Sequence, residues 1–159
     1  MNLRCAVTLA LLLMTQSAAS PAGRPPTIEL DAPRCIRPAT RPWVCARIFD
    51  ERTITRARVL FRAREDEPFY WTEMRFDGSR YCAWLPLPSK KTRSIDLYVD
   101  AVDDEYELSR TREEKVSIEA DCVSEPQAAP EGPTCIGTTT PRQRPKPKGF
   151  EADTSTDGC

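Results

Sequence analysis

Histidine is absent from the 159-residue chain, and that absence removes several chemistries at once. No Ser-His-Asp or Cys-His nucleophile can be assembled, no imidazole can bind a metal, and no unperturbed side chain titrates near neutrality. An excess of one charge is missing too. With 24 acidic residues against 23 basic, neither nucleic acid nor an anionic membrane is an expected partner. No CxxC pair occurs, so the zinc knuckle is lacking. No internal repeat is visible, and the length allows one domain with a tail.

What is present begins with an address. Met1 to Arg4 is short and basic, Cys5 to Met14 is an unbroken run of apolar and small residues, and Thr15 to Ser20 is small and polar. That is the three-part pattern of a secretory signal peptide over residues 1–19, with small residues also allowing a cut as late as 22. The apolar run is about half of what a membrane-spanning helix needs. A buried N-terminal helix would need a polar face, which this stretch does not have. No later stretch approaches about 18 apolar residues, so no membrane insertion is expected after the signal is removed, and the chain is expected to be secreted or periplasmic. Removal of Cys5 leaves Cys35, Cys45, Cys82, Cys122, Cys135 and Cys159, an even six that reads as up to three disulfides in an exported chain.

Prolines mark the borders of the folded part. From Pro126 to Pro147 there are six of them among Gln, Thr, Arg and Lys, a composition of extended, solvated chain. Residues 123–159 are therefore read as a disordered Pro-rich tail. Residues 27–122 are read as the body, about 95 residues, enough to bury around two-thirds of the unfolded surface. Within the body the hydrophobic period is two. It runs through Ile28 and Leu30, Val44 to Ile48, Ala57 to Ala63, Tyr81 to Leu85, Ile95 to Ala101 and Val116 to Ala120, with a weaker segment from Phe69 to Phe76. About seven short alternating strands, separated by turns such as Asp50-Glu51-Arg52 and Asp77-Gly78-Ser79, predict an all-β antiparallel sandwich. The polar stretch 103–114 reads as a hairpin connection.

The succession Val44-Cys-Ala-Arg-Ile-Phe-Asp50, Ala57-Arg-Val-Leu-Phe-Arg62, Tyr81-Cys-Ala-Trp-Leu-Pro86 and Ile95-Asp-Leu-Tyr-Val-Asp-Ala-Val-Asp103 resembles bacterial extracytoplasmic Ig-like or fibronectin type III-like modules. The resemblance covers about residues 40 to 120. It implies a sandwich core and a binding, spacing or presenting role. The chain departs from the pattern in its extra Cys and in lacking a Gly after Asp103. In such an architecture the strand bearing Arg56, Arg58, Arg62 and Arg64 neighbours the one bearing Asp96 and Asp100. An Arg row would then face an Asp row, each cross-strand pair contributing about 0.2–1 kcal/mol and keeping that sheet face solvated. This gives a structural account of the charge layout, in which 24–64 holds ten Arg against four acids and 65–131 holds 17 acids against eight bases. The alternative account is an anionic ligand. Parity also pairs Cys45 with Cys82 as a surface cross-strand bridge. It leaves Cys35 and Cys122 to tie the ends of the body, and Cys135 and Cys159 to close a loop in the tail.

Three further constellations carry competing readings. Asp96, Asp100, Asp103, Asp104, Glu105 and Glu107 are either a solvated hairpin tip or a calcium site, though the EF-hand loop pattern is missing. Trp84, outward by parity, is either a platform for sugar stacking or a cover for the neighbouring disulfide. Paired carboxylates for glycoside hydrolysis are available but nothing fixes two across a cleft. The expectation is an exported, non-catalytic binding or structural module, without cofactor or metal, whose partner is an unidentified protein or glycan. A carbohydrate-binding module using Arg56, Arg58, Arg62 and Trp84 is the alternative, and a small carboxylate hydrolase the second alternative.

Overall fold

A computed structural model describes residues 23–123, 134–139, 147–151 and 154–155. The leader, residue 159 and hence the Cys135–Cys159 pairing lie outside the described residues. The strands in chain order are β1 (Thr27–Asp31), β2 (Cys35–Ile36), β3 (Trp43–Phe49), β4 (Ile54–Arg62), β5 (Tyr70–Glu73), β6 (Arg75–Phe76) and β7 (Tyr81–Trp84). They are followed by β8 (Ser94–Asp103), β9 (Leu108–Arg110), β10 (Glu114–Ile118), β11 (Thr134–Cys135), β12 (Gly137–Thr138) and β13 (Thr154–Ser155). No helix occurs among the described residues, and none there is long and apolar enough to cross a membrane.

The strands form two main sheets that pack into an all-β sandwich. One has the order β1-β3-β7-β6, and the other β12-β5-β4-β8-β10-β2 with β9 on β8. A separate short parallel pair joins β11 to β13. Alternation places one row of each strand inside: Val44, Ala46 and Ala83 from the first sheet meet Val59, Phe61, Ile95, Leu97, Val99 and Val116 from the second. The weak segment from Phe69 to Phe76 is two strands, not one. Met74 is buried and donates its N–H to the Ala57 carbonyl at 2.9 Å, and beyond it the chain leaves the second sheet for the first.

The two body disulfides are Cys45–Cys82, expected from parity within the Ig-like arrangement, and Cys35–Cys122, expected from their places at the two ends of the body. Cys35–Cys122, 87 residues apart, staples the short β2 beside β10, where the pairing is parallel. Cys45–Cys82 links directly opposed residues of β3 and β7. It is not a surface bridge, however, since each of its residues is only 2% exposed. Two residues along the same face Trp43 packs on Trp84, and the Asp77 carboxylate lies 3.6 Å from Cys82 Sγ, so the sulfurs are enclosed.

Turn chemistry explains the hairpins. In the β6–β7 turn, Asp77 Oδ1 accepts the N–H groups of Ser79 and Arg80 at 2.9 and 3.0 Å, while Gly78 takes the positive φ of 104°. These backbone donors, followed by the Ser79 hydroxyl, pull the Asp77 carboxyl down to about 2. The β8–β9 hairpin does without glycine: Tyr106 occupies the left-handed position at φ 65°. The Asp103 carboxylate holds the loop by accepting the N–H groups of Glu105 and Glu107 at 2.9 and 2.8 Å.

The folded unit extends past residue 122. Composition assigned 123–159 to solvated chain, yet two described pieces lie on the sandwich, because each carries an apolar anchor. Ile136 is buried in the core, and β12 then pairs with β5, where Gly137 rests on the Trp71 indole so closely that a Cβ would collide with the ring. Phe150 packs edge-on against Phe61 at 5.2 Å, Gly149 accepts the Thr92 hydroxyl at 2.6 Å, and Lys148 pairs with Glu67 at 2.7 Å.

Candidate functional site

The sequence-selected residues divide between the two outer faces of the sandwich. Arg56, Arg58 and Arg62 stand on β4 of the second sheet, alternating with the core residues Ala57, Val59 and Phe61. Trp84 stands on β7 of the first sheet, alternating with the core residues Ala83 and Leu85. Both rows point outward from opposite sheets, so the four do not form one surface. Strand parity gives inside or outside, and membership of different sheets then separates them.

On the second sheet the Arg and Asp rows meet in register, with Arg58 opposite Asp100 and Arg62 opposite Asp96. Arg58 grips Asp100 with both arms of its fork, Nε to Oδ1 at 3.1 Å and Nη2 to Oδ2 at 2.9 Å. Arg62 donates Nε to Asp96 at 3.2 Å and Nη2 to Glu113 at 2.8 Å. Lys115 lies 3.5 Å from Asp96 and 2.9 Å from Glu65, which holds the Glu65 carboxyl below its usual range and the Lys115 ammonium above its own. Aromatic rings roof the network: Arg58 over Trp71 at 5.1 Å, Arg62 over Phe69 at 4.4 Å and Arg110 over Tyr98 at 4.6 Å. Asp96 and Asp100 are consequently buried, which corrects the expectation of a solvated face. Arg56 stays exposed, opposite Val102 beyond an irregularity in the β4–β8 register.

The acidic cluster of the sequence also comes apart. Asp96 and Asp100 are mid-sheet and bound to arginine, whereas Asp103 to Glu107 form the β8–β9 turn, with Glu105 paired to Arg52 at 2.6 Å. Among the described residues no group of three Cys, Asp or Glu side chains is placed to hold a metal ion.

The first sheet carries a groove of about 470 Å³, within the roughly 300–1,000 Å³ of small-ligand sites. Trp43 and Trp84, cross-strand partners with ring centroids 4.5 Å apart and planes 40° apart, form part of its wall. Facing them is the proline-punctuated segment between β1 and β3, which contributes Arg34, Arg37 and Arg41, while Arg80 enters from the β6–β7 turn. These arginines were not singled out from the sequence, because loops carry no periodicity. The available signal was the crowding of three Arg between Pro33 and Pro42, next to Trp43. A larger concavity of about 640 Å³ at one end of the sandwich is lined by Arg24 and Arg52 but also by Asp50 and Glu51, so its charges balance. No protein-family model and no curated protein matches the chain.

Proposed function

We propose that the chain is an exported, non-catalytic binding module of Ig-like type, acting in the periplasm or outside the cell. One observation carries the reading. The ligand-sized concavity on a sheet face is walled by tryptophan and arginine, groups that hold a ligand, while Asp96 and Asp100, the buried carboxylates of the opposite face, are engaged by arginine. The order β1-β3-β7-β6 corresponds to the A-B-E-D sheet of immunoglobulin domains. The run β5-β4-β8-β10 in turn corresponds to the other sheet with one added strand, which supports the Ig-like assignment. Two disulfides, together with the leader pattern of residues 1–19, favour an oxidising compartment.

The test uses the full chain expressed with its own leader. Intact mass of the exported product should show a start between residues 20 and 23 with no free thiol at Cys35, Cys45, Cys82 or Cys122. The same material, offered chromogenic glycosides and esters, should release no product above buffer. Turnover abolished by a single Asp→Asn or Glu→Gln substitution would establish the hydrolase instead, and a reduced chain retaining Met1 in the cytosol would remove the export claim.

A further inference from the structure

We infer that the groove beside Trp43 and Trp84 binds an acidic polysaccharide, a chain of sugar rings bearing carboxylate or sulfate groups. The inference deepens the binding-module reading and rests on it. Four guanidinium groups line the groove against one carboxylate, that of Asp31. Arg80 answers that carboxylate at 3.3 Å and Asp77 at 3.5 Å, and Arg37 donates to the Cys122 carbonyl at 3.1 Å. Arg34 is exposed and, among the described residues, has no ion pair. Arg34, and Arg37 with its neutral carbonyl partner, therefore leave the groove with positive charge that no carboxylate answers among the described residues. Guanidinium forks match carboxylate and sulfate geometry with two parallel hydrogen bonds, so the chemistry asked of the ligand is that of such an anion.

The tryptophans set the rest of the ligand. Both indoles are half-buried and both lie on the outward parity of paired strands, giving an apolar, polarisable aromatic wall next to the cations. The C–H face of a sugar ring packs on such a surface while its charged substituent reaches the rim. A peptide is the less suited occupant. At the level of the disulfide the first sheet is continuous across four strands, Asp31 beside Cys45, Cys45 beside Cys82 and Cys82 beside Arg75. The tryptophans stand on its two central strands, β3 and β7, and not on the edge strands β1 and β6, where a peptide backbone would add.

The experiment measures binding of the disulfide-intact protein to polygalacturonate and to the same polymer fully methyl-esterified, by calorimetry and by tryptophan fluorescence. Polygalacturonate should bind, and esterification should weaken binding at least about tenfold because it removes the anion and keeps the rings. Arg34→Glu and Trp84→Ala should each weaken it about tenfold, while Arg56→Glu, on the opposite face, should change it less than about twofold. Arg34 is exposed and makes no ion pair among the described residues, so its variant remains informative if Trp84→Ala folds poorly. Binding to neither polymer overturns the inference. So does a loss on Arg56→Glu that Arg34→Glu does not reproduce, which would move the site to the other sheet. Equal binding of polyglutamate with Trp84→Ala unaffected also overturns it, in favour of a bare polyanion or acidic polypeptide. None of these outcomes touches the assays of turnover and export, which decide the broader reading separately.

Discussion

The two outer faces of the sandwich are made from the same materials, arginine and aromatic rings, and end in opposite states. On the second sheet Arg58 and Arg62 each have a carboxylate opposite in register and an aromatic ring against the guanidinium, and Asp100 is only 1% exposed. On the first sheet the groove arginines come from loops and a turn, Asp31 is the one carboxylate among the groove's lining residues and pairs with Arg80, and the tryptophan rings remain half-exposed. Position in the sheet, not composition, decides the outcome. A strand presents a fixed partner every second residue on its neighbour, and a loop does not.

The difference can be attacked at three depths. The deepest is the staple under the groove. Replacing Cys35 and Cys122 together by Ser removes a bridge spanning 87 residues and should lower stability by about 4.5 kcal/mol on chain-entropy grounds, read as a denaturation midpoint. A change below about 1 kcal/mol would mean that β2 is held by its neighbours without the bridge. Next comes the paired face. Asp100→Ala strands the Arg58 fork beneath Trp71 and should cost about 3 kcal/mol, whereas Arg34→Ala, without a partner to abandon, should stay within about 0.5 kcal/mol. Equal effects would erase the distinction between the faces.

The smallest effect is a titration beside the groove. With its carboxyl lowered to about 2 by the Ser79 and Arg80 N–H groups, Asp77 favours the folded state when ionised. Its contribution is therefore complete above the ordinary carboxyl range and is lost only as pH falls through about 2. Carboxyl carbon shifts should give that midpoint. A midpoint near the ordinary aspartate value would show that the turn does not hold its donors in solution.

Much of the fold was legible because alternation is a physical requirement of a half-buried strand. The strands of Val44, Val59, Leu97 and Val116 follow from parity, and the pairing of Cys45 with Cys82 follows from parity together with the strand adjacency that the Ig-like resemblance implies. Burial was less legible. Outward parity suggested solvated rows on β4 and β8, but the roof over them comes from Phe69, Trp71 and Tyr98, and a ring on the outward parity reads as exposed until the strand beside it is known. The segment from Phe69 to Phe76 hid a change of sheet because its period of two continues through Met74. Ile136 and Phe150 were isolated apolar residues in a polar, proline-rich stretch, and single anchors leave no periodic trace. The groove was the least visible feature, since it is assembled from a loop, a turn and a strand end far apart in the chain.

The contrast between the faces is tested most directly by reacting the native protein with an arginine-selective dicarbonyl and mapping modification rates by peptide mass spectrometry. The account predicts that Arg34 reacts early while Arg58 and Arg62, whose side chains are 19% and 20% exposed and bonded to carboxylates, react last and only on unfolding. Arg58 and Arg62 reacting as fast as Arg34 would contradict it.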